Sequence, residues 1–224
     1  PLLAAAAQST PRQAAGQFFL AGWLFHSLLL QWLWANIFWA GGWAVLGQQL
    51  LCLFLALHWA VVGFLWRYLC IRFRLFGFIF IAFLWFVMEW LMATWCTGFG
   101  WSALGYTQGI SPVGQWAAFG RVEYISFLIV LVNALFAAGI RRPRWIGPVS
   151  AILLLGIAHG IGYRLAAPEA PSRPSPLRVG MVQPAFSQEI KWDSDFSEFM
   201  EKMFLQYSRS LCKASPVDLL VWPE

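Results

Sequence analysis

Long apolar stretches separated by short polar segments fill most of the chain. Five of them approach the roughly 20 residues that a helix needs to cross the hydrocarbon core of a bilayer. They lie at about residues 16 to 39, 43 to 66, 75 to 95, 123 to 140 and 145 to 163. This pattern predicts a polytopic α-helical membrane bundle over residues 1–165.

The pattern changes after residue 165. Residues 166–176 are rich in Pro, Ala and Ser and are predicted to form a stiff, extended linker. Two short apolar runs follow, Leu177–Gln183 and Leu219–Trp222, and a proline closes each run. The first run is predicted to be a buried β-strand, and the second is predicted to be a further β-strand.

An amphipathic helix is expected between these two strands. Asp195 and Glu198 have the spacing of a capping box at its start. Its apolar face would contain Phe196, Phe199, Met200, Met203, Phe204, Tyr207 and Leu211. Strand, helix and strand in this order predict the opening of a parallel sheet, so residues 177–224 are the start of an α/β domain.

Composition supports a membrane protein. Hydrophobic residues make up 60% of the chain and charged residues only 11%. The net charge of +5 does not indicate nucleic-acid binding, because the cations lie mostly in short loops. If the five spans alternate, the clusters at residues 12, 67–74 and 141–144 share one side, which the positive-inside rule makes cytoplasmic. Residues 96–122 and the chain after residue 164 would then lie outside.

Cysteine and histidine give no pattern for a metal site. The four cysteines form no Cys-x-x-Cys pair, and His26, His58 and His159 each stand alone among apolar residues. We therefore expect neither a metal nor a cofactor, and we interpret the three histidines as core residues.

Glu224 is the first candidate for a catalytic residue. A carboxylate that follows a short strand lies at the edge of the sheet where α/β proteins hold their ligands. Trp222 and Pro223 precede it and would partly desolvate it, which suits a general base. A surface glutamate after a strand is the alternative.

Glu89 is the second candidate, because an ionisable residue within a membrane span marks a functional site by default. Its partner would be Arg121 or the backbone amides of the following loop. A purely structural glutamate that holds this loop is the alternative to a functional one.

Three aromatic residues are candidates for lipid contact. Trp101 and Tyr106 lie in a glycine-rich loop after the third span, and Trp192 lies in the tail. Aromatic side chains are frequent at membrane surfaces. This loop would therefore form the floor of a lipid-entry cleft, or it would only anchor the protein at the membrane interface.

Several short motifs occur in a fixed order along the chain. They are Glu89-Trp90, residues 97–101 (TGFGW), residues 104–108 (LGYTQ), residues 179–183 (VGMVQ), residues 191–193 (KWD) and residues 222–224 (WPE). In this order, and after these spans, they resemble the apolipoprotein N-acyltransferases, bacterial inner-membrane enzymes with an extracytoplasmic nitrilase-like domain.

The resemblance implies an eight-span bundle in which this chain holds roughly the third to the seventh spans. It also implies a Glu-Lys-Cys triad that moves an acyl chain from a phospholipid, through a cysteine thioester, to the amine of a diacylglyceryl-cysteine in an apolipoprotein. Glu224 matches the general base, whereas Lys191, Lys202, Lys213 and Cys212 precede it and match neither other member. Trp101 and Trp192 match lipid-side positions of the family, with Tyr106 beside them.

The expected partners are therefore a phospholipid acyl donor, an apolipoprotein acceptor and membrane lipids. Both ends look cut, since the chain begins at Pro1 and stops at Glu224, and we expect this fragment alone to be inactive. Two other functions stay open: a membrane-anchored nitrilase-type amidase, and a transporter or scaffold with a docking tail. The identity of the acyl acceptor distinguishes the amidase from the acyltransferase. Uptake of a substrate by the membrane bundle after deletion of the tail would favour the transporter.

Overall fold

The computed structural model describes residues 1–36, 41–73, 77–95, 98–141, 145–166, 177–191 and 193–223. The chain divides into two compact units, Pro1–Ala167 and Pro168–Glu224. The described residues of the first unit form six α-helices: α1 (Leu2–Ala6), α2 (Pro11–Leu29), α3 (Trp43–Arg72), α4 (Gly77–Thr94), α5 (Ala117–Arg141) and α6 (Ile146–Ala166). Its 3-10 helices are Gln31–Asn36, Leu104–Gln108 and Pro112–Trp116.

Four helical stretches in the described part of the chain are long and apolar enough to cross a membrane. They are Trp43–Arg72, Gly77–Thr94, Pro112–Gly139 and Ile146–Leu165. At about 1.5 Å per residue, even the shortest approaches the thickness of the hydrocarbon core. The predicted helical membrane bundle is confirmed.

The first expected span differs from the prediction. Helix α2 begins at Pro11 rather than near residue 16, because Thr10 and Gln13 form a capping box that starts the helix earlier. It ends at Leu29, and a 3-10 helix follows it. This helix carries Arg12, Gln13 and Gln17 in its first turns, and it is not among the four apolar stretches.

Helices α2 and α3 pack closely through two reciprocal contacts. A Cβ atom on Gly22 of α2 would lie 2.8 Å from the Trp59 ring, and one on Gly63 of α3 would lie 2.6 Å from the Phe18 ring. Each helix therefore inserts an aromatic ring over a glycine of the other. Small residues allow this close approach in membrane bundles, where packing replaces the hydrophobic effect as the main attraction between helices.

The two inserted rings have little room to move. Phe18 is completely buried and contacts Trp66 at a centroid distance of 6.0 Å. The Trp59 ring stacks on Phe25 at 5.2 Å and meets Trp85 of α4 edge to face at 4.6 Å. This aromatic cluster joins α2, α3 and α4 in one core.

Tryptophan side chains also join neighbouring segments of the bundle by hydrogen bonds. The Trp66 indole donates to the Gly77 carbonyl at 3.0 Å, which ties α3 to the start of α4. The Trp116 indole donates to the Ala158 carbonyl of α6 at 2.8 Å. The first of these bonds is buried and the second is partly buried, and each satisfies an indole N–H group within the bundle.

The second unit contains the strand-helix-strand arrangement that the sequence predicts. Its elements are β1 (Val179–Met181), α7 (Gln188–Lys191), a 3-10 turn (Ser194–Phe196), α8 (Ser197–Ala214) and β2 (Leu219–Val221). The two strands pair in parallel, with Gly180 opposite Leu220. The parallel pairing is confirmed, and the fold is a helical membrane region followed by the start of a further domain.

The start of the amphipathic helix requires a correction. Asp195 does not cap α8; instead its amide donates to the Asp193 carboxylate at 3.0 Å, which begins the 3-10 turn Ser194–Phe196. Helix α8 starts only at Ser197, and Phe196 at its N-cap makes no side-chain hydrogen bond. Asp193, not Asp195, provides the cap, because the Asp193 carboxylate accepts a hydrogen bond from the amide two residues later, as in an Asx turn.

Gly63→Ala should destabilise the bundle by about 1–3 kcal/mol, because the new methyl group overlaps the immobile Phe18 ring. Gly47→Ala in the same helix is the matched control, since a Cβ atom there meets nothing within 4 Å. We expect the control to be neutral or more stable by up to about 1 kcal/mol. Thermal unfolding in detergent, followed by circular dichroism, measures both variants. Equal unfolding temperatures for the two would contradict the close packing of α2 and α3.

Candidate functional site

A cleft of about 210 Å³ lies between the end of α4, the following loop and the beginning of α5. Its walls combine charged, polar and aromatic side chains. The residues that line it are Glu89, Met92, Ala93, Phe99, Gly100, Trp101, Ser102, Ala103, Tyr106, Arg121, Val122 and Glu123. Three sequence candidates, Glu89, Trp101 and Tyr106, therefore meet at one place.

Glu89 holds the loop to the membrane bundle. Its Oε1 atom accepts hydrogen bonds from the Trp85 indole at 2.8 Å and from the Leu104 backbone amide at 3.0 Å. Of the two partners expected from the sequence, the backbone amide is the one that the structure shows. The side chain is only 6% exposed, so these bonds form in an environment where hydrogen bonds are strong.

A second hydrogen bond fixes the next residue of the loop. The Gly105 amide donates to the Ser126 hydroxyl of α5 at 2.8 Å, and the same hydroxyl interacts with the Glu89 carboxyl group. Gly105 is buried, and a Cβ atom on it would overlap the carbonyl oxygen of Val122. The absence of a side chain at this position lets the loop lie directly against α5.

Helix α5 is kinked where it reaches the cleft. Gly120 and Arg121 have non-helical dihedral angles, and Arg121 has a φ of +62°. A residue other than glycine in this region costs of order 1–3 kcal/mol and is frequent at functional sites. The kink turns the Arg121 side chain toward solvent, where it is 64% exposed, and its Nη2 atom lies 3.3 Å from Glu123 Oε1.

Glu123 is the residue that the sequence analysis missed. It is only 2% exposed and lines the cleft with Glu89. Glu123 lies at the edge of the apolar run 123–140. An ionisable residue in or beside a membrane span indicates a functional site, and this signal applies to Glu123 as it does to Glu89. Arg121, considered above as a partner for Glu89, pairs with Glu123 instead.

Each of these two carboxylates has one free oxygen. The Oε2 atoms of Glu89 and Glu123 are buried and accept no hydrogen bond within the described part of the chain. A buried carboxylate oxygen without a donor is costly.

Aromatic rings surround the mouth of the cleft. Trp101 is 66% exposed, and its ring lies 5.7 Å from Phe99 and 5.8 Å from Trp32 of the 3-10 helix Gln31–Asn36. Tyr106 is also exposed. Before this loop, Gly98 adopts a φ of +81°, which allows the chain to turn back along α4. Exposed rings at the end of a membrane helix suit the headgroup level of a bilayer.

The remaining two candidates, Trp192 and Glu224, lie outside the described residues. In the second unit, Trp222 donates from its indole to the Ser208 hydroxyl at 2.8 Å and stacks on Phe204 at 5.1 Å. Asp218 accepts the Arg178 amide at 2.9 Å and its guanidinium Nε at 3.3 Å. These bonds lower the pKa of Asp218, the backbone amide contributing most. Both contacts fix the ends of β2.

The described residues offer no obvious metal centre, since no three His, Cys, Asp or Glu side chains among them have a suitable arrangement. The chemistry of the cleft is that of two buried carboxylates, one exposed guanidinium and an aromatic rim.

Gly105→Ala should open the contact between the loop and α5 and destabilise the bundle by about 1–3 kcal/mol, because the backbone of Val122 cannot move away freely. Gly109→Ala, four residues later, is the matched control, since its Cβ atom would make only an ordinary contact at 3.5 Å. Thermal unfolding in detergent again provides the measurement. If Gly105→Ala unfolds at the same temperature as Gly109→Ala, the loop is not docked as described.

The relatives described here are all named apolipoprotein N-acyltransferase. The family model for the apolipoprotein N-acyltransferase N-terminal domain matches residues 1–135. The apolipoprotein N-acyltransferase of Geobacter metallireducens is 35% identical over 248 aligned residues, which cover 100% of this chain and 45% of that protein. The enzyme of Azotobacter vinelandii is 35% identical over 146 residues, covering 64% of this chain and 28% of that protein.

A third relative covers more of the chain than the second, at lower identity. The apolipoprotein N-acyltransferase of Haemophilus ducreyi is 28% identical over 197 residues, covering 85% of this chain and 38% of that protein. The chain thus spans less than half the length of these relatives. On the match of its first 135 residues, which is more than half of its length, the chain belongs to the apolipoprotein N-acyltransferase family.

Proposed function

We propose that this chain is the membrane and early catalytic-domain part of an enzyme that transfers a fatty acyl chain from a phospholipid to the N-terminal amine of a diacylglyceryl apolipoprotein. The main support is the family match over residues 1–135 together with the aromatic, carboxylate-lined cleft at the end of a membrane helix. In this proposal the reaction is the last acylation step of lipoprotein maturation. It takes place on the periplasmic side of the bacterial inner membrane.

Residues 177–224 form the first part of a nitrilase-like domain in this proposal. The parallel pair of β1 and β2 has the topology that opens such an α/β sheet. Glu224 follows β2 by three residues, and the carboxyl edge of a parallel sheet is where reacting groups collect. The Trp222 contacts with α8 stabilise the strand immediately before it.

Glu224 acts as the general base of the proposed mechanism. It removes the proton of a cysteine thiol that lies further along the parent protein, and the thiolate attacks the acyl ester of the phospholipid. The acyl group becomes a thioester, and the lysophospholipid leaves with a proton. The lipoprotein amine then attacks the thioester, forms the amide and returns the thiol. A lysine of the parent stabilises the oxyanion in both steps. Dividing the transfer into two acyl steps is the usual advantage of a covalent nucleophile.

The membrane unit supplies the lipid in this proposal. Trp101 and Tyr106 contact the phospholipid at the mouth of the cleft, and Trp192 is a further lipid-binding residue of the proposal. Exposed aromatic side chains combine an apolar ring with a polar edge and therefore suit the boundary between acyl chains and headgroups. The arginine-rich loops lie in the cytoplasm, so the cleft opens on the periplasmic side.

Glu224→Gln in the full-length parent should leave the protein folded and reduce thioester formation by about 10²-fold or more, because the thiol then lacks its base. The measurement is transfer of a radiolabelled acyl chain from phospholipid to protein, with cleavage by hydroxylamine to identify the thioester. Glu201→Gln, an exposed carboxylate of α8, is the control. Normal labelling of the Glu224 variant would remove this residue from the mechanism, and acyl transfer to water alone would favour an amidase.

A further inference from the structure

A line of cations runs along helix α8 of the second unit. Lys202, Arg209 and Lys213 follow one another at intervals of seven and four residues, which places them on one face of the helix. A hollow of about 440 Å³ lies along this face. Three cations and no acidic residue line it, and the other lining residues are Leu205, Gln206 and Ser210. We call these six residues the basic face.

The basic face is the outward side of α8. The other side of the helix packs on the strand β2 and its end: the Phe204 ring stacks on Trp222 at 5.1 Å, and the Ser208 hydroxyl accepts the Trp222 indole N–H at 2.8 Å. All three cations are exposed, and the Lys202 side chain is 71% exposed. The cations therefore do not serve the packing of this unit.

Local interactions neutralise little of this charge. Lys202 pairs with Glu198 one turn earlier at 2.6 Å, but the two side chains are 71% and 79% exposed, and exposed pairs of this kind are weak. The sequence between Lys202 and Ala214 contains no acidic residue. The helix dipole favours a cation in the last turn, which accounts for Lys213 but not for the other two cations.

We infer that the basic face of α8 binds the phosphate headgroups of an anionic phospholipid bilayer, such as one that contains phosphatidylglycerol. Arg and Lys side chains form charge-assisted hydrogen bonds with phosphate oxygens. Each cation close to an anionic bilayer raises the affinity about fivefold, so a line of three gives a weak but specific attachment. This inference goes beyond the proposed function and does not rest on it, because it concerns the attachment of the second unit and not the reaction.

The position of α8 in the chain favours a bilayer as the partner. Helix α6 is one of the four stretches that are long and apolar enough to cross a membrane, and ten residues separate its end at Ala166 from Leu177. A segment of this length reaches at most about 35 Å. The second unit therefore always has a bilayer surface within reach, and such a tether makes a weak contact effective.

An exposed aromatic side chain beside the basic face also favours a bilayer. Phe199 precedes Lys202 by three residues and Gln206 by seven, so it lies on the flank of the face, and it is 50% exposed. Cations with an adjacent apolar ring are typical of helices that lie at the headgroup level of a membrane. An acidic protein would match the charge, but a bilayer matches both the charge and the ring.

Acetylation of lysine side chains tests this contact in the full chain. The chain has three lysines: Lys202 and Lys213 on the basic face, and Lys191 outside it. The protein is reconstituted in nanodiscs of phosphatidylcholine, with or without phosphatidylglycerol. Mass spectrometry then follows the reaction of each lysine with an N-hydroxysuccinimide ester of acetate.

We expect the two lysines of the basic face to react about threefold or more slowly in the discs that contain phosphatidylglycerol. Phosphate contacts shield these amines and favour their unreactive, charged form. Lys191 should change by less than about 1.5-fold. At about 0.5 M NaCl the Debye length falls to about 4 Å, and the difference between the two kinds of disc should disappear.

Arg209→Gln removes the central cation without changing a reporter lysine. The slowing at Lys202 and Lys213 should fall to within about 1.5-fold, since one of three cations is lost. Gln206→Ala is the matched control, because it changes the same face and keeps all three cations. Circular dichroism shows whether each variant is folded.

Equal acetylation rates in the two kinds of disc at low salt would overturn the inference. Slowing that Lys191 shares to the same extent would also overturn it, because that result reports the general surface potential and not a contact of the basic face. Slowing that persists at high salt, or in folded Arg209→Gln, would do the same. Protection by a soluble acidic peptide, with none from phosphatidylglycerol, would assign the face to an acidic protein instead. All these results are independent of acyl transfer, so they leave the test of the proposed function separate.

Discussion

The carboxylate of Glu89 is the group on which the geometry of the cleft depends. One of its oxygens accepts hydrogen bonds from Trp85 of α4 and from Leu104 of the loop, and the other is buried and has no donor in the described part of the chain. Because irregular backbone at the level of a membrane must find internal partners, the loop can fold against the bundle only where such an acceptor exists. The structure therefore shows that Glu89 holds this loop, whereas a functional role of Glu89 stays a prediction.

The packing of the bundle places this carboxylate. Glycines at the contact of α2 and α3 admit the Phe18 and Trp59 rings, and the Trp59 ring then meets Trp85 of α4. Trp85 in turn donates to Glu89. A continuous series of contacts thus runs from the interface of α2 and α3 to Glu89.

Much of this arrangement is predictable from the sequence, because it depends on periodicity and local signals. The apolar runs predict the helices, and the short β-branched run before Pro184 predicts a strand that pairs in parallel with Leu219–Val221. The apolar run does not reveal the start of α2, because the helix begins in a polar segment at the Thr10–Gln13 capping box. Glu123 and its contact with Arg121 depend on the kink at Gly120 and Arg121, and a one-dimensional pattern does not reveal a kink. The positions of Trp192 and Glu224 stay predictions.

Hydrogen exchange at the Leu104 amide, measured by NMR on the chain in detergent micelles, tests the central role of Glu89 most directly. We predict strong protection of this amide and of the Gly105 amide, which donates to Ser126. In Glu89→Ala, the protection of Leu104 should fall by about tenfold or more, and that of Gly105 should fall less, since its own acceptor remains. Exchange of Leu104 in the unmodified chain at the rate of an unstructured peptide would contradict the account.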